Sequence, residues 1–118
     1  MAPSLDGGLN YAFTDALTGD GESNRFSVWT GEPLPPPLVP AIGDQIRMHV
    51  DAEGSINNDH LVVLWVGANE ILSSVLQRNP GVLYSAVENI RQHIDEMVDL
   101  GAKHILVPNQ IDASGAPF

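Results

Sequence analysis

The sequence predicts an α/β fold in which a short parallel sheet lies between helical layers, and three observations predict it. Leu61-Val62-Val63-Leu64-Trp65-Val66 is a run of apolar residues without alternation, the pattern of a strand buried on both faces. His104-Ile105-Leu106-Val107 is a second such run, closed by Pro108. Between them lie two stretches with apolar residues at helical spacing, and an order of strand, helix, helix, strand implies crossovers and parallel pairing.

Gly8-Leu9-Asn10-Tyr11-Ala12-Phe13 reads as a short strand after the Gly7-Gly8 turn. Residues 18–37 read as a loop rich in glycine. It ends in Pro33-Leu34-Pro35-Pro36-Pro37, whose composition favours a stiff polyproline-like connector over an SH3-type docking motif, since no arginine flanks it. A helix begins near Pro40. Ile42, Ile46 and Val50 stand one turn apart on its inner face, and Asp44, Gln45 and Arg47 point away. Gly54 stops it, and Asn57-Asn58-Asp59 turns the chain into the strand at 61–66.

Residues 69–77 read as a short helix, interrupted at Asn79-Pro80-Gly81. A longer helix follows over 82–100, with Leu83, Ala86, Ile90, Ile94, Met97 and Val98 as its apolar stripe. Glu88, Arg91, Gln92 and Asp95 form its wet face, and Gly101 suits the position just past its end. The whole chain, 1–118, reads as a single domain, and about 65% of the unfolded surface is buried in a chain of this size.

Composition excludes several functions. Fifteen acidic residues against five basic ones give a net charge of −10, and Arg25, Arg47, Arg78, Arg91 and Lys103 are scattered. No basic cluster exists to displace counterions from a phosphate backbone, so nucleic acid and anionic membranes are not expected partners. No apolar stretch approaches the ~20 residues of a membrane span. Met1-Ala2-Pro3-Ser4-Leu5-Asp6 lacks the features of a signal peptide, and the localisation stays open. Cysteine is absent, which removes disulfides, thiolate metal sites and a cysteine nucleophile. His49, His60, His93 and His104 show no metal-ligand spacing, and His93 with Asp95 and Glu96 spreads around a helix, so no metal is expected. No glycine-rich turn follows a strand and opens a helix, so no nucleotide or other cofactor is expected.

The residues with chemical promise sit where the strand at 61–66 ends, in Gly67-Ala68-Asn69-Glu70. Ligands in open α/β sheets gather outside the carboxyl ends of strands. An asparagine there has two readings: an N-cap for the next helix, or an amide that holds negative charge developing on an oxygen. Asp15 reads as a solvated loop carboxylate, and Trp29 and Trp65 as core or loop-packing residues.

Together these segments resemble the GDSL/SGNH family of esterases and lipases over nearly the whole chain. Gly7-Gly8-Leu9-Asn10-Tyr11-Ala12-Phe13, with Ala16-Leu17-Thr18-Gly19, is similar to that family's second block, G-G-x-N-Y-A-x-G-G-A-x-T-G. Leu64-Trp65-Val66-Gly67-Ala68-Asn69-Glu70 is similar to its third, G-x-N-D after a buried strand. Leu100-Gly101-Ala102-Lys103-His104-Ile105-Leu106-Val107-Pro108-Asn109 is similar to G-A-R-x-[IF]-L-V-P-N. The resemblance implies a three-layer, flavodoxin-like fold with strand order 2-1-3-4-5. It implies an oxyanion hole with Asn69 as side-chain donor, Gly67 matching the motif's glycine, and the backbone N–H of Asp15 at the second position of the paired glycines.

The departures from the family pattern are as informative. Thr14-Asp15 replaces the paired glycines, placing a carboxylate where it would repel an oxyanion. Glu70 replaces the aspartate. Neither the serine of a G-D-S motif nor an Asp-x-x-His pair occurs, and Gly21-Glu22-Ser23 has no apolar strand before it, so no nucleophile is assigned. The resemblance therefore implies the family's central portion, a truncated core whose ester substrate would need complementation. The expected function is an ester-hydrolase-like protein without a triad. The alternatives are a non-enzymatic oligomeric or binding module, or one part of a split esterase. Without the family's first strand, open sheet edges would favour self-association.

Overall fold

The computed structural model describes residues 2–23, 32, 34, 38–110 and 112. Trp29, Arg25 and the four prolines of the 33–37 run lie outside the described residues. The described chain is mixed α/β, with three helices, a two-stranded parallel sheet and a two-stranded antiparallel ladder.

After a 3₁₀ turn at Ser4–Asp6, the segment expected as a strand at 8–13 makes only an isolated parallel bridge between Pro3 and Asn10. Its backbone is served locally instead: Ser4 N–H donates to the Asn10 carbonyl and Asn10 N–H to the Ala2 carbonyl. The Asn10 side chain also accepts from Ala12 N–H, an alternative to sheet pairing that asparagine often offers. Two-residue strands β1 (Glu22–Ser23) and β2 (Val39–Pro40) pair antiparallel, so part of the expected 18–37 loop, including Glu22 and Ser23 of the G-D-S echo, is ladder.

Helix α1 spans Ile42–Glu53 and ends at Gly54, whose N–H returns to the Val50 carbonyl at 2.7 Å. Ile42 and Ile46 are buried as their spacing requires. Gln45, expected to face water, is buried too, because its side-chain amide donates to the Pro40 carbonyl at 2.9 Å. The turn at 57–59 forms as expected, with Asn57 Oδ1 accepting from Asp59 N–H.

β3 (Leu61–Val63) and β4 (His104–Leu106) pair in parallel, Leu61 opposite His104 and Val63 opposite Leu106. Between them run α2 (Ala68–Leu76) and α3 (Gly81–Asp99). The core joins Ile42 and Ile46 of α1, Met97 of α3, and Ile56, Leu64 and Ala102, with Val62, Val66, Ile90, Ile94 and Ile105 packed against it. Among the described residues, the helices thus cover one face of the sheet. Both strands were expected to be buried on both faces. Instead, Leu61, Val63 and Trp65 are 58%, 53% and 65% exposed, and Leu106 is 49% exposed. Strand geometry sends alternate side chains to opposite faces, and here one face has no covering element among the described residues. Trp65 is accordingly not a core residue.

α3 buries Ala86, His93 and Met97, with Leu83, Ile90 and Ile94 half-buried. Val98, assigned to the stripe, lies 53% exposed at the helix end. His93 takes the inner position, its Nδ1 3.2 Å from Glu96 Oε2. The helix closes with Gly101 N–H on the Val98 carbonyl and Ala102 N–H on the Met97 carbonyl, a Schellman motif that needs the left-handed φ of +113° at Gly101. Among the described residues, no helix is long and apolar enough to cross a membrane.

Candidate functional site

The loop 15–21 is where distant parts of the chain meet. α1 begins at Ala41 with no side-chain cap. Its leading amides are satisfied by the loop: Ala41 N–H donates to the Gly21 carbonyl (2.8 Å), Ile42 N–H to Leu17 (3.0 Å) and Gly43 N–H to Gly19 (3.0 Å). A Cβ at Gly43 would displace the exposed Asp20 carboxylate and stand 3.1 Å from Cε1 of buried His93, a tight approach that favours glycine.

The N-terminus of α2 holds the same loop from another side. Gly67, with φ +110°, turns the chain from β3 into α2. It is this φ, not lack of space, that calls for glycine, because a Cβ there would meet its neighbours at ordinary distance. Asn69 does not cap the helix. Its Nδ2 donates to the Ala16 carbonyl at 2.9 Å, across 53 residues of sequence. Glu70 is 5% exposed, and its Oε1 accepts from Thr18 N–H at 2.6 Å. The extra methylene of glutamate therefore still reaches the loop. Its Oε2 is shut from solvent and meets no donor among the described residues. Thr18 is fully buried, and its hydroxyl oxygen accepts from Asn89 Nδ2 of α3 at 3.2 Å.

These groups border a cavity of about 350 Å³. Asp15, Thr18, Asn69, Glu70 and Asn89 contribute its polar wall, with Ser73 and Ser85, while Leu17, Leu72, Leu76, Val82 and Ala86 make it apolar. Of the sequence-derived candidates, Asp15 and Asn69 are brought together, and Gly67 stays behind the wall as backbone geometry. Asp15 is half-buried rather than a solvated loop carboxylate, with a left-handed φ of +64°. A glycine would take that conformation without strain, and aspartate is among the few other residues that tolerate it.

Thr18 and Asn89 escaped the sequence reading. Asn89 lay between Ala86 and Ile90 at core-facing spacing on α3, and an amide there was a legible signal. Thr18 carried none, because its burial depends on three elements closing over it. The histidines do not join the site: His49 Nε2 lies 3.2 Å from the Ser55 carbonyl and its ring meets Tyr11 edge-on, while His60 and His104 are exposed. Among the described residues, no three His, Asp or Glu side chains converge as a metal ion would require.

The cavity's Asn69 offers one further N–H beyond the one given to Ala16, since a carboxamide nitrogen carries two donors. That arrangement can orient a neutral carbonyl. Compared with known protein families, curated proteins and solved structures, the chain finds no match.

Proposed function

We propose that the chain carries the oxyanion-binding side of a GDSL/SGNH-type carboxylic ester hydrolase, in a flavodoxin-like plan, without the serine and histidine of a triad. The observation that supports this most directly is the meeting of Asn69 and Asp15 on one cavity wall, with Asn69 in the first turn of α2, after the Gly67 turn that follows β3. The order of the three sequence blocks supports it as well, as does the left-handed backbone at Asp15, where the family pattern has glycine. In this reading Asn69 donates its second amide hydrogen to an ester carbonyl, and the acyl chain lies along Leu72, Leu76 and Val82. A pre-oriented donor of this kind stabilises developing charge. Among the described residues no histidine lines the cavity to activate Ser73 or Ser85, so this reading assigns no acyl-enzyme and has the site bind an ester without turning it over.

The test is direct. The full chain incubated with p-nitrophenyl butyrate is expected to show no hydrolysis sensitive to a serine-directed phosphonate. Methyl butyrate titrated into ¹⁵N-labelled protein is expected to shift the Asn69 side-chain amide together with the Thr18 backbone amide, and Asn69→Leu to abolish the Thr18 response. Phosphonate-sensitive turnover, or an unmoved Asn69 amide at saturating ester, overturns the proposal.

A second reading, a self-associating binding module, is favoured by the uncovered face of Leu61, Val63, Trp65 and Leu106. Contiguous apolar patches of this kind mark contact surfaces.

A further inference from the structure

We propose that the cavity beside Glu70 selects a primary alkylammonium group, its nitrogen hydrogen-bonded to the Glu70 carboxylate and its chain lying on Leu72, Leu76 and Val82. This rests on the reading of the cavity as a ligand site and adds the charge and donor character of what enters it.

Glu70 is buried, one carboxylate oxygen is committed to Thr18 N–H, and the other meets no donor among the described residues. Buried acceptors are rarely left in that state, and one on a cavity wall asks for a donor from a ligand. Binding requires a turn of the carboxyl, whose terminal torsion is broad, to bring Oε2 from its enclosed position to the cavity while Thr18 N–H keeps one oxygen.

The wall carries the carboxylates of Glu70 and Asp20, and among the described residues no lysine, arginine or histidine lines it. Arg47 reaches Asp20 from outside the wall at 3.3 Å, in an exposed pair that water screens. A carboxylate ligand meets repulsion here, and a cation meets the complementary field, deepened by a chain of net charge −10. The acids do not converge as a metal site, and the rest of the wall is apolar, so the fitting cation is organic and amphipathic. A primary ammonium supplies three N–H donors. One serves Glu70 Oε2, and the hydroxyl oxygens of Ser73 and Ser85, on the same cavity, are acceptors for the others.

The experiment is an NMR titration of the full ¹⁵N-labelled chain with n-butylammonium, n-butanol, butyrate and butyltrimethylammonium. Butylammonium is expected to shift the Thr18, Asn69 and Asn89 amides with an affinity about tenfold above that of butanol, the margin of a charge-assisted hydrogen bond. Butyltrimethylammonium, charged but without N–H, is expected to fall between butylammonium and butanol, and butyrate below all three. Glu70→Gln keeps an acceptor for Thr18 N–H and is expected to remove the ammonium preference. Should that variant unfold, Val82→Trp, which fills the cavity, is expected to abolish the response in a folded chain. Equal binding of butylammonium and butyrate, an unchanged preference in Glu70→Gln, or binding that survives Val82→Trp overturns the inference. Methyl butyrate run in parallel separates the two proposals: an ester that still shifts Asn69 while the ammonium preference is missing sinks only this one.

Discussion

Gly101 sits at φ +113°, and a Cβ there would stand 2.7 Å from the Ile56 carbonyl oxygen. Gly101→Ala therefore combines a disfavoured backbone with a clash against backbone that cannot swing aside. The expected loss is about 1–3 kcal/mol, measured as a lower urea midpoint with an unchanged slope. Surface charge behaves differently. Glu88 accepts from Arg91 and Gln92, and the Arg91 guanidinium holds its carboxyl below the usual glutamate range. A carboxyl with a depressed folded pKa contributes stability above its unfolded pKa and loses it as pH falls through the folded one. Glu88→Gln is thus expected to be slightly less stable than the parent at pH 7, the difference shrinking as pH falls below the ordinary glutamate range, checked by thermal unfolding along a pH series. The effect is small because the pair is exposed.

Among the elements, β3 carries the clearest division of labour. Leu64, just beyond it, is buried among Ile42, Ile46, Ile56, Met97 and Ala102. Leu64→Ala should cost about 2–5 kcal/mol, read by denaturant unfolding, whereas Val63→Ala on the open face should cost far less. Sequence periodicity located all three helices and both parallel strands to within a residue or a few, because capping glycines and helical spacing are local signals. It misjudged which strand faces are covered. An uninterrupted apolar run states that a strand tolerates burial on both sides, but coverage depends on elements elsewhere in the chain. The 8–13 segment failed as a strand for a related reason: pairing needs a neighbour, and Asn10 offers the backbone a local substitute. The site was half legible. Asn69 and Asp15 stood out by position, but the clamp of Glu70 and Asn89 on Thr18 is a product of tertiary closure.

At the scale of the whole molecule, two opposing features govern behaviour in solution. In the self-association reading the exposed face of Leu61, Val63, Trp65 and Leu106 makes the contact with a second copy, and a net charge of −10 opposes it. Salt screens the repulsion and leaves apolar attraction in place. Sedimentation velocity is therefore expected to show a weight-average mass that rises between 20 and 500 mM NaCl, numbers chosen to span Debye lengths of roughly 20 to 4 Å. Trp65→Glu should remove the rise. A mass that stays monomeric throughout discards the self-association reading.

The borrowed start of α1 has an outcome for measurement. Because its leading amides rest on the carbonyls of Leu17, Gly19 and Gly21, the first turn of that helix is only as durable as the loop beneath it. Any guest that steadies the loop should slow deuterium uptake at Ile42 and Gly43, on the side of the loop away from α2, turning two backbone protons into reporters of occupancy.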